Sequence, residues 1–183
     1  MDVIIVYDCI MNFKYPIEWP QFFTATILNW LPVLDNKENK MIIVDSLSYM
    51  ARNRRVELNA YVIMRNHIHL IWRPLPLNSL TSIQFTFLKF TGQQLKFVLE
   101  KTNRRLLEQC RVSKCDRNYQ IWQRESLSIE LFSEKVFKQK LEYIHNNPVN
   151  AGICRYPEEY FFSSASFYEY GIDRFGMLTH YEG

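Results

Sequence analysis

At 183 residues the chain has room for one domain with a core of its own. Its 48% hydrophobic and 22% charged residues exclude a disordered polymer, and a net charge of +3 excludes a histone-like polycation. No run approaches the roughly eighteen apolar residues of a membrane span, and Val3–Ile10 lacks the basic start of a secretory signal, so a cytoplasmic protein is expected.

Residues 1–15 read as an N-terminal extension, and because they fit poorly with the pattern of the later chain, Met11 is an alternative start. Pro16 and Pro20 bracket an extended lead-in, after which the aromatic and β-branched run Phe22–Trp30 predicts a strand. Pro32 and the polar run Asp35–Lys40 predict a turn. Met41, Ile42, Val44, Leu47 and Met50 then recur at helical steps, giving an amphipathic helix that ends near Arg54. Glu57–Met64 and His67–Arg73 read as two strands of a hairpin turning at Arg65-Asn66, with Pro74 and Pro76 stopping the second. Ser79–Leu99 predicts a long helix with Gly92 as its weak point.

From Lys101 to Arg117, Lys101, Arg104, Arg105, Arg111, Lys114 and Arg117 face only Glu108 and Asp116, more positive charge than the whole chain carries net. The segment suits either a solvated face or a phosphate-contacting patch. By charge and position, Lys89, Lys96, Arg104 and Arg105 are the expected phosphate contacts. Tyr119–Gln123 reads as a short strand, and Glu134–Asn147 as a helix with Val136, Phe137, Leu141 and Ile144 inward, ended by Pro148. The remainder to Gly183 shows little regular pattern. Cys9, Cys110, Cys115 and Cys154 have no zinc-finger spacing and read as free thiols. Alternating helices and mostly antiparallel strands imply an α+β sandwich, with helices packed on a small sheet.

Two constellations carry chemistry. His67 and His69, two apart on a strand, project to one face with Ile68 turned into the core, which places two imidazoles in reach of one metal ion or simply two polar groups on a wet face. Tyr143 and Asn147, four apart on a helix, share a face. They suit a nucleophile and a third ligand, or an ordinary tyrosine and a helix-end amide. His145 lies off that face and reads as a surface or base-contacting residue.

Together these segments resemble a known pattern. Tyr61–Ile71, reading YVIMRNHIHLI, is similar to the metal-binding hairpin of the HUH endonucleases; Tyr143–Gly152, reading YIHNNPVNAG, is similar to the nucleophile helix of REP-associated tyrosine transposases. Leu88–Thr91, Ile121–Gln123 and Pro157–Ser164 (PEEYFFSS) match further segments in the same order, so the resemblance spans about Pro16 to Ser164. It departs from the pattern at Arg65, where a small residue or proline is usual, and after Gln123, where Arg124–Ser128 replaces a His-Pro.

The resemblance implies a ferredoxin-like fold over residues 16–165 with a C-terminal tail at 166–183. It implies Mg²⁺ or Mn²⁺ held by His67, His69 and Asn147, Tyr143 as nucleophile, and cleavage and rejoining of single-stranded DNA beside a hairpin, by a monomer or a homodimer. A second reading is a domesticated relative that binds hairpin DNA without cutting it. A replication or conjugation nickase uses a similar histidine pair but is usually larger.

Overall fold

The computed structural model describes residues 19–182; the extension at 1–15, with Val3–Ile10, Cys9 and Met11, and Pro16 lie outside the described residues. The chain opens with β1 (Gln21–Thr26), shorter than the run Phe22–Trp30 indicates. Leu28–Trp30 is a 3-10 turn in which Asn29 and Trp30 take φ of 54° and 57°, a left-handed geometry that no strand accommodates. Pro32 does open a turn, with Asp35 N–H donating to Pro32 O, but from Lys37 the polar run is already the first turn of helix α1 (Lys37–Arg52). Asn36 caps it, its side chain accepting the Asn39 N–H, so polarity here marks a helix start. β2 (Val56–Ile63) and β3 (His67–Pro74) form the expected hairpin. α2 (Leu80–Thr102) comes next, capped by Ser79.

Residues 103–126 hold structure that periodicity does not indicate: α3 (Arg104–Gln109) and a small hairpin of β4 (Arg111–Lys114) and β5 (Arg117–Tyr119). The strand expected at Tyr119–Gln123 is mostly an extended segment, whose Trp122 bridges to Ile27. β6 (Leu127–Glu130) then returns to the sheet, and α4 (Glu134–Asn150) comes after it. The C-terminal stretch is not irregular. It holds a 3-10 turn at Pro157–Glu159 and α5 (Ala165–Tyr170).

The main sheet runs β2-β3-β1-β6 with every neighbouring pair antiparallel. With α1 and α2 as the crossovers this is the βαββαβ ferredoxin-like arrangement, into which residues 103–126 are inserted. Side chains alternate across the sheet. Phe23 and Trp72 face α2, where Trp72 meets Phe87 edge-on with ring centroids 5.5 Å apart. Phe22, His67 and His69 face the other way, toward α4. The α1/α2 face is apolar: Ile68, Leu70 and Trp72 are fully buried there. The edge of β2 is covered by chain from much later in the sequence, since Ile63 N–H donates to Phe162 O and Thr179 N–H to Leu58 O. Among the described residues no helix is long and apolar enough to cross a membrane, and Cys110, Cys115 and Cys154 are free thiols.

α4 does not stop at Pro148. It runs on to Asn150 with the proline ring buried, and ends where Gly152 takes φ 69°. Proline removes only its own N–H from the helix, and burial of the ring offsets that loss. Ala151 N–H still donates to Asn147 O, so the backbone around Asn147 is helical. His145 is not a surface residue either. It is half-buried, its Nε2 lies 2.9 Å from Ser164 Oγ, and its ring packs on Tyr168. Ser164 in turn bonds the backbone of Tyr61, so this chain of contacts fastens α4 to β2.

These contacts set two expectations about stability. Burial pushes the His145 pKa down to about 4, against an unfolded value near 6.5. Between those values the unfolded chain binds the proton and the folded one does not, so stability rises with pH across that window. Urea unfolding should therefore lose up to about 3 kcal/mol through His145 between pH 7 and pH 4. His145→Gln should shallow that slope, though His69, lowered to about 3, titrates in the same direction. In α2, a Cβ at Gly92 would sit 3.3 Å from Trp122 Cδ1, closer than ordinary packing. Gly92→Leu should displace Trp122 and lower the unfolding free energy by about 1–3 kcal/mol, read from denaturant midpoints.

Candidate active site

The face of the sheet opposite α1 and α2 gathers four of the side chains singled out from sequence. His67 and His69 leave β3 on the same side, their ring centroids 4.9 Å apart. α4 lies across them. Asn147 Oδ1 is 3.2 Å from His67 Nε2, and the Tyr143 ring lies edge-on to His69 with centroids 5.2 Å apart. Tyr143 is 46% exposed, so its phenol is open to a large substrate, whereas His69 is buried at 5%. The helical spacing of four residues accounts for this division, placing Tyr143 at the rim and Asn147 over the histidines.

Each imidazole is held by a neighbour outside the residues expected to form the site. His67 Nδ1 lies 2.8 Å from Asn66 Oδ1 and its Nε2 3.2 Å from Asn147 Oδ1; both oxygens can only accept, so the single proton of the neutral ring serves one contact and leaves the other nitrogen as a lone pair. His69 Nδ1 lies 2.7 Å from the Thr24 hydroxyl, because Thr24 stands opposite His69 in the β1–β3 register, and its Nε2 is left without that partner. Asn66 also donates from Nδ2 to Trp30 O, which fixes its orientation and ties the left-handed turn to the His67 ring. Partners of this kind, orienting an imidazole through its second nitrogen, are what metal-binding histidines require.

Electrostatics favour neutral rings. Burial lowers the His67 pKa, with the Asn147 contact acting in the opposite direction. Burial also lowers His69, to about 3, with the charges of His67 and Lys140 adding to the effect. Lys140 sits one helical turn before Tyr143, its Nζ 5.6 Å from the Tyr143 ring centroid and 4.8 Å from that of Phe22. That spacing of three is legible in the sequence, whereas Thr24 and Phe22 depend on a register that no local pattern displays.

The donor set fits a divalent cation. His67 Nε2 and Asn147 Oδ1 meet at 3.2 Å, close enough for one cation to take both as ligands. Two imidazoles and one amide make the set. No group of three His, Cys, Asp or Glu side chains suited to a metal occurs among the described residues.

The four expected DNA-contacting residues are not gathered in one place. Lys89 and Lys96 line a groove of about 590 Å³ beside α2. Arg104 and Arg105 lie exposed on α3, outside that lining, and Arg104 is engaged by Glu108 at 3.1 Å.

No protein-family model matches the sequence, and no curated protein matches it. Among solved structures, a REP-associated tyrosine transposase bound to a REP hairpin superposes with a TM-score of 0.61 at 20% identity, covering 86% of this chain and 84% of that one. A chain from Deinococcus radiodurans named as a transposase gives a TM-score of 0.44 at 16% identity, covering 69% of this chain and 88% of that one. The 0.61 likeness and the βαββαβ topology together show a shared α+β fold, the one implied by the transposase-like motifs at Tyr61–Ile71 and Tyr143–Gly152.

Proposed function

We propose that this chain cleaves and rejoins single-stranded DNA beside hairpins, through a covalent 5′-phosphotyrosine on Tyr143. The observation that carries this reading is the convergence of His67, His69, Asn147 and Tyr143 at one point of the sheet, from two elements far apart in sequence. The shared fold with a hairpin-bound transposase supports the choice of DNA as substrate.

In this mechanism the Tyr143 oxygen attacks the scissile phosphorus in line with the bond to the 3′ oxygen. The P–O3′ bond breaks, and the phenol proton passes through solvent to the departing oxygen. The products are a 5′-phosphotyrosine and a free 3′-hydroxyl. One phosphate ester has replaced another, so a second 3′-hydroxyl reverses the step and joins strands without ATP. His67, His69 and Asn147 would hold Mg²⁺ or Mn²⁺, which when bound supplies Lewis-acid stabilisation of charge on the phosphate. Two nitrogen ligands suit Mn²⁺ at least as well as Mg²⁺. Lys140 adds fixed positive charge beside the phenol.

Tyr143→Phe should abolish the covalent protein–DNA adduct on denaturing gels while hairpin affinity stays within about twofold, since an exposed hydroxyl contributes little to binding. An adduct surviving in the Phe variant would assign the nucleophile elsewhere. Replacing His67 and His69 together by Ala should remove Mn²⁺-dependent cleavage. Equal cleavage by that double variant in chelator would take the metal out of the reading.

A further inference from the structure

A ferredoxin-like chain needs only a short connection from α2 to its last strand, yet here residues 103–126 leave the end of α2 and fold back along it. The returning segment is pinned in place. Trp122 Nε1 donates to Thr91 Oγ1 at 3.0 Å, and Gly92 supplies the clearance for the indole. Tyr119 donates its hydroxyl to Glu108 at 2.8 Å. The groove of about 590 Å³ lies between this wall and the outer face of α2.

Its chemistry is specific. Lys89, Lys96, Arg117 and Arg124 line it with one acidic residue, Asp116, which pairs with Arg117, while Lys96 reaches Glu100 at 3.3 Å just outside the lining. Another sizeable cavity, about 430 Å³, is lined by Glu57, Glu134 and Glu182 with Arg73, and offers phosphates no comparable set of cations. The basic groove also carries aromatic rings that folding has left in water: Phe85 is 64% exposed and Phe97 44%. Two such rings on one groove mark a surface built to be covered. Lys89 lies 5.6 Å from the Phe85 ring centroid and Lys96 5.7 Å from that of Phe97, so each ring has a cation beside it. Cationic groups beside open ring faces are the pattern that takes unpaired nucleotides, phosphate to the charge and base to the ring.

We propose that this groove is a channel for unpaired DNA, with bases stacking on Phe85 and Phe97 and phosphates meeting Lys89, Lys96 and Arg124. Twelve residues of helix separate the two rings, about 18 Å at 1.5 Å per residue. That is the length of about five stacked nucleotides at 3.4 Å each. The groove wall is tied to the end of β1. Gln123 N–H donates to Thr26 O at 2.8 Å, Leu28 N–H donates to Ile121 O at 2.7 Å, and Thr26 stands opposite His67 in the sheet. Trp30, at this end, stands beside His67 with ring centroids 5.9 Å apart, so a strand leaving the site would round this end of the sheet to reach the groove on the far face. The inference rests on the proposed DNA chemistry and adds to it the path of the single strand next to the hairpin.

The test uses the full chain and fluorescence anisotropy with four hairpins: blunt, with a five-nucleotide single-stranded tail, with an abasic tail of the same length, and with a duplex extension. Tails are placed on either end. The wild type should bind the tailed hairpin about tenfold or more tighter than the blunt one, and the abasic and duplex forms should gain less. In Phe85→Ala/Phe97→Ala the ratio of tailed to blunt affinity should fall toward one. Phe85→Trp/Phe97→Trp should keep it, because indole rings also stack. Reading the ratio within each variant cancels any general weakening. A tail that adds nothing, an abasic or duplex arm that serves as well, or an unchanged ratio in the Ala variant overturns the channel. So does a change in oligomeric state by sedimentation with the ratio intact, which would make the groove a contact between copies. Absence of a Tyr143 adduct while the tail still strengthens binding counts against the proposed function and leaves the channel standing.

Discussion

The register of β3 against β1 is the constraint on which the site depends. Thr26 stands opposite His67 and Thr24 opposite His69, so both imidazoles and both threonines share one face, while Ile68, Leu70 and Trp72 take the other. A slip of one residue would bury two histidines under α2 and expose three of the largest core side chains. The apolar face thus fixes the polar one. Because the α1/α2 face is closed by well-packed hydrophobic contacts, the opposite face is left to carry groups chosen for chemistry, and α4 supplies the remaining two.

α4 reaches the sheet by a few specific contacts rather than by bulk. Only Phe137, Ile144 and Pro148 of this helix are buried. The half-buried His145, bonded to Ser164, holds it to β2, and Asn147 meets His67. The order along the helix is functional side chain, core anchor, fastening histidine and candidate ligand, all within Tyr143–Asn147. A helix so lightly anchored keeps Tyr143 at the rim, open to a duplex-sized partner, while its neighbours fix its position.

Much of this is legible in the sequence, and the part that is not has physical causes. α1, α2 and α4 each bury a periodic stripe, the β2–β3 hairpin is two apolar runs about a short polar turn, and each can be read from its pattern. β6 has four residues, mostly exposed, and its pairing with β1 joins positions about a hundred residues apart, which no window of sequence displays. Pro148 misleads because the rule against proline is local and its burial is tertiary. His145 misleads for the same reason, since Ser164 comes from a distant segment. The alternation at His67 and His69 and the helical step from Tyr143 to Asn147 are readable, but their meeting is not, because it requires α4 to lie on the open face of the sheet. Arg104 shows the opposite case: its charge is plain in the sequence, yet only the helix brings Glu108 one turn away to take that charge up.

The late covering of β2 also bears on how the chain is made. The βαββαβ core is complete once Glu130 has emerged, but the segments that close the β2 edge, around Phe162 and Thr179, lie about a hundred residues beyond that strand. At ribosomal rates of about 5–20 residues per second, the histidine hairpin waits roughly 5–20 s with one backbone edge unpaired. During that interval the nascent sheet is a template for any extended segment nearby, so the chain's vulnerability in the cell belongs to its birth rather than to its finished form.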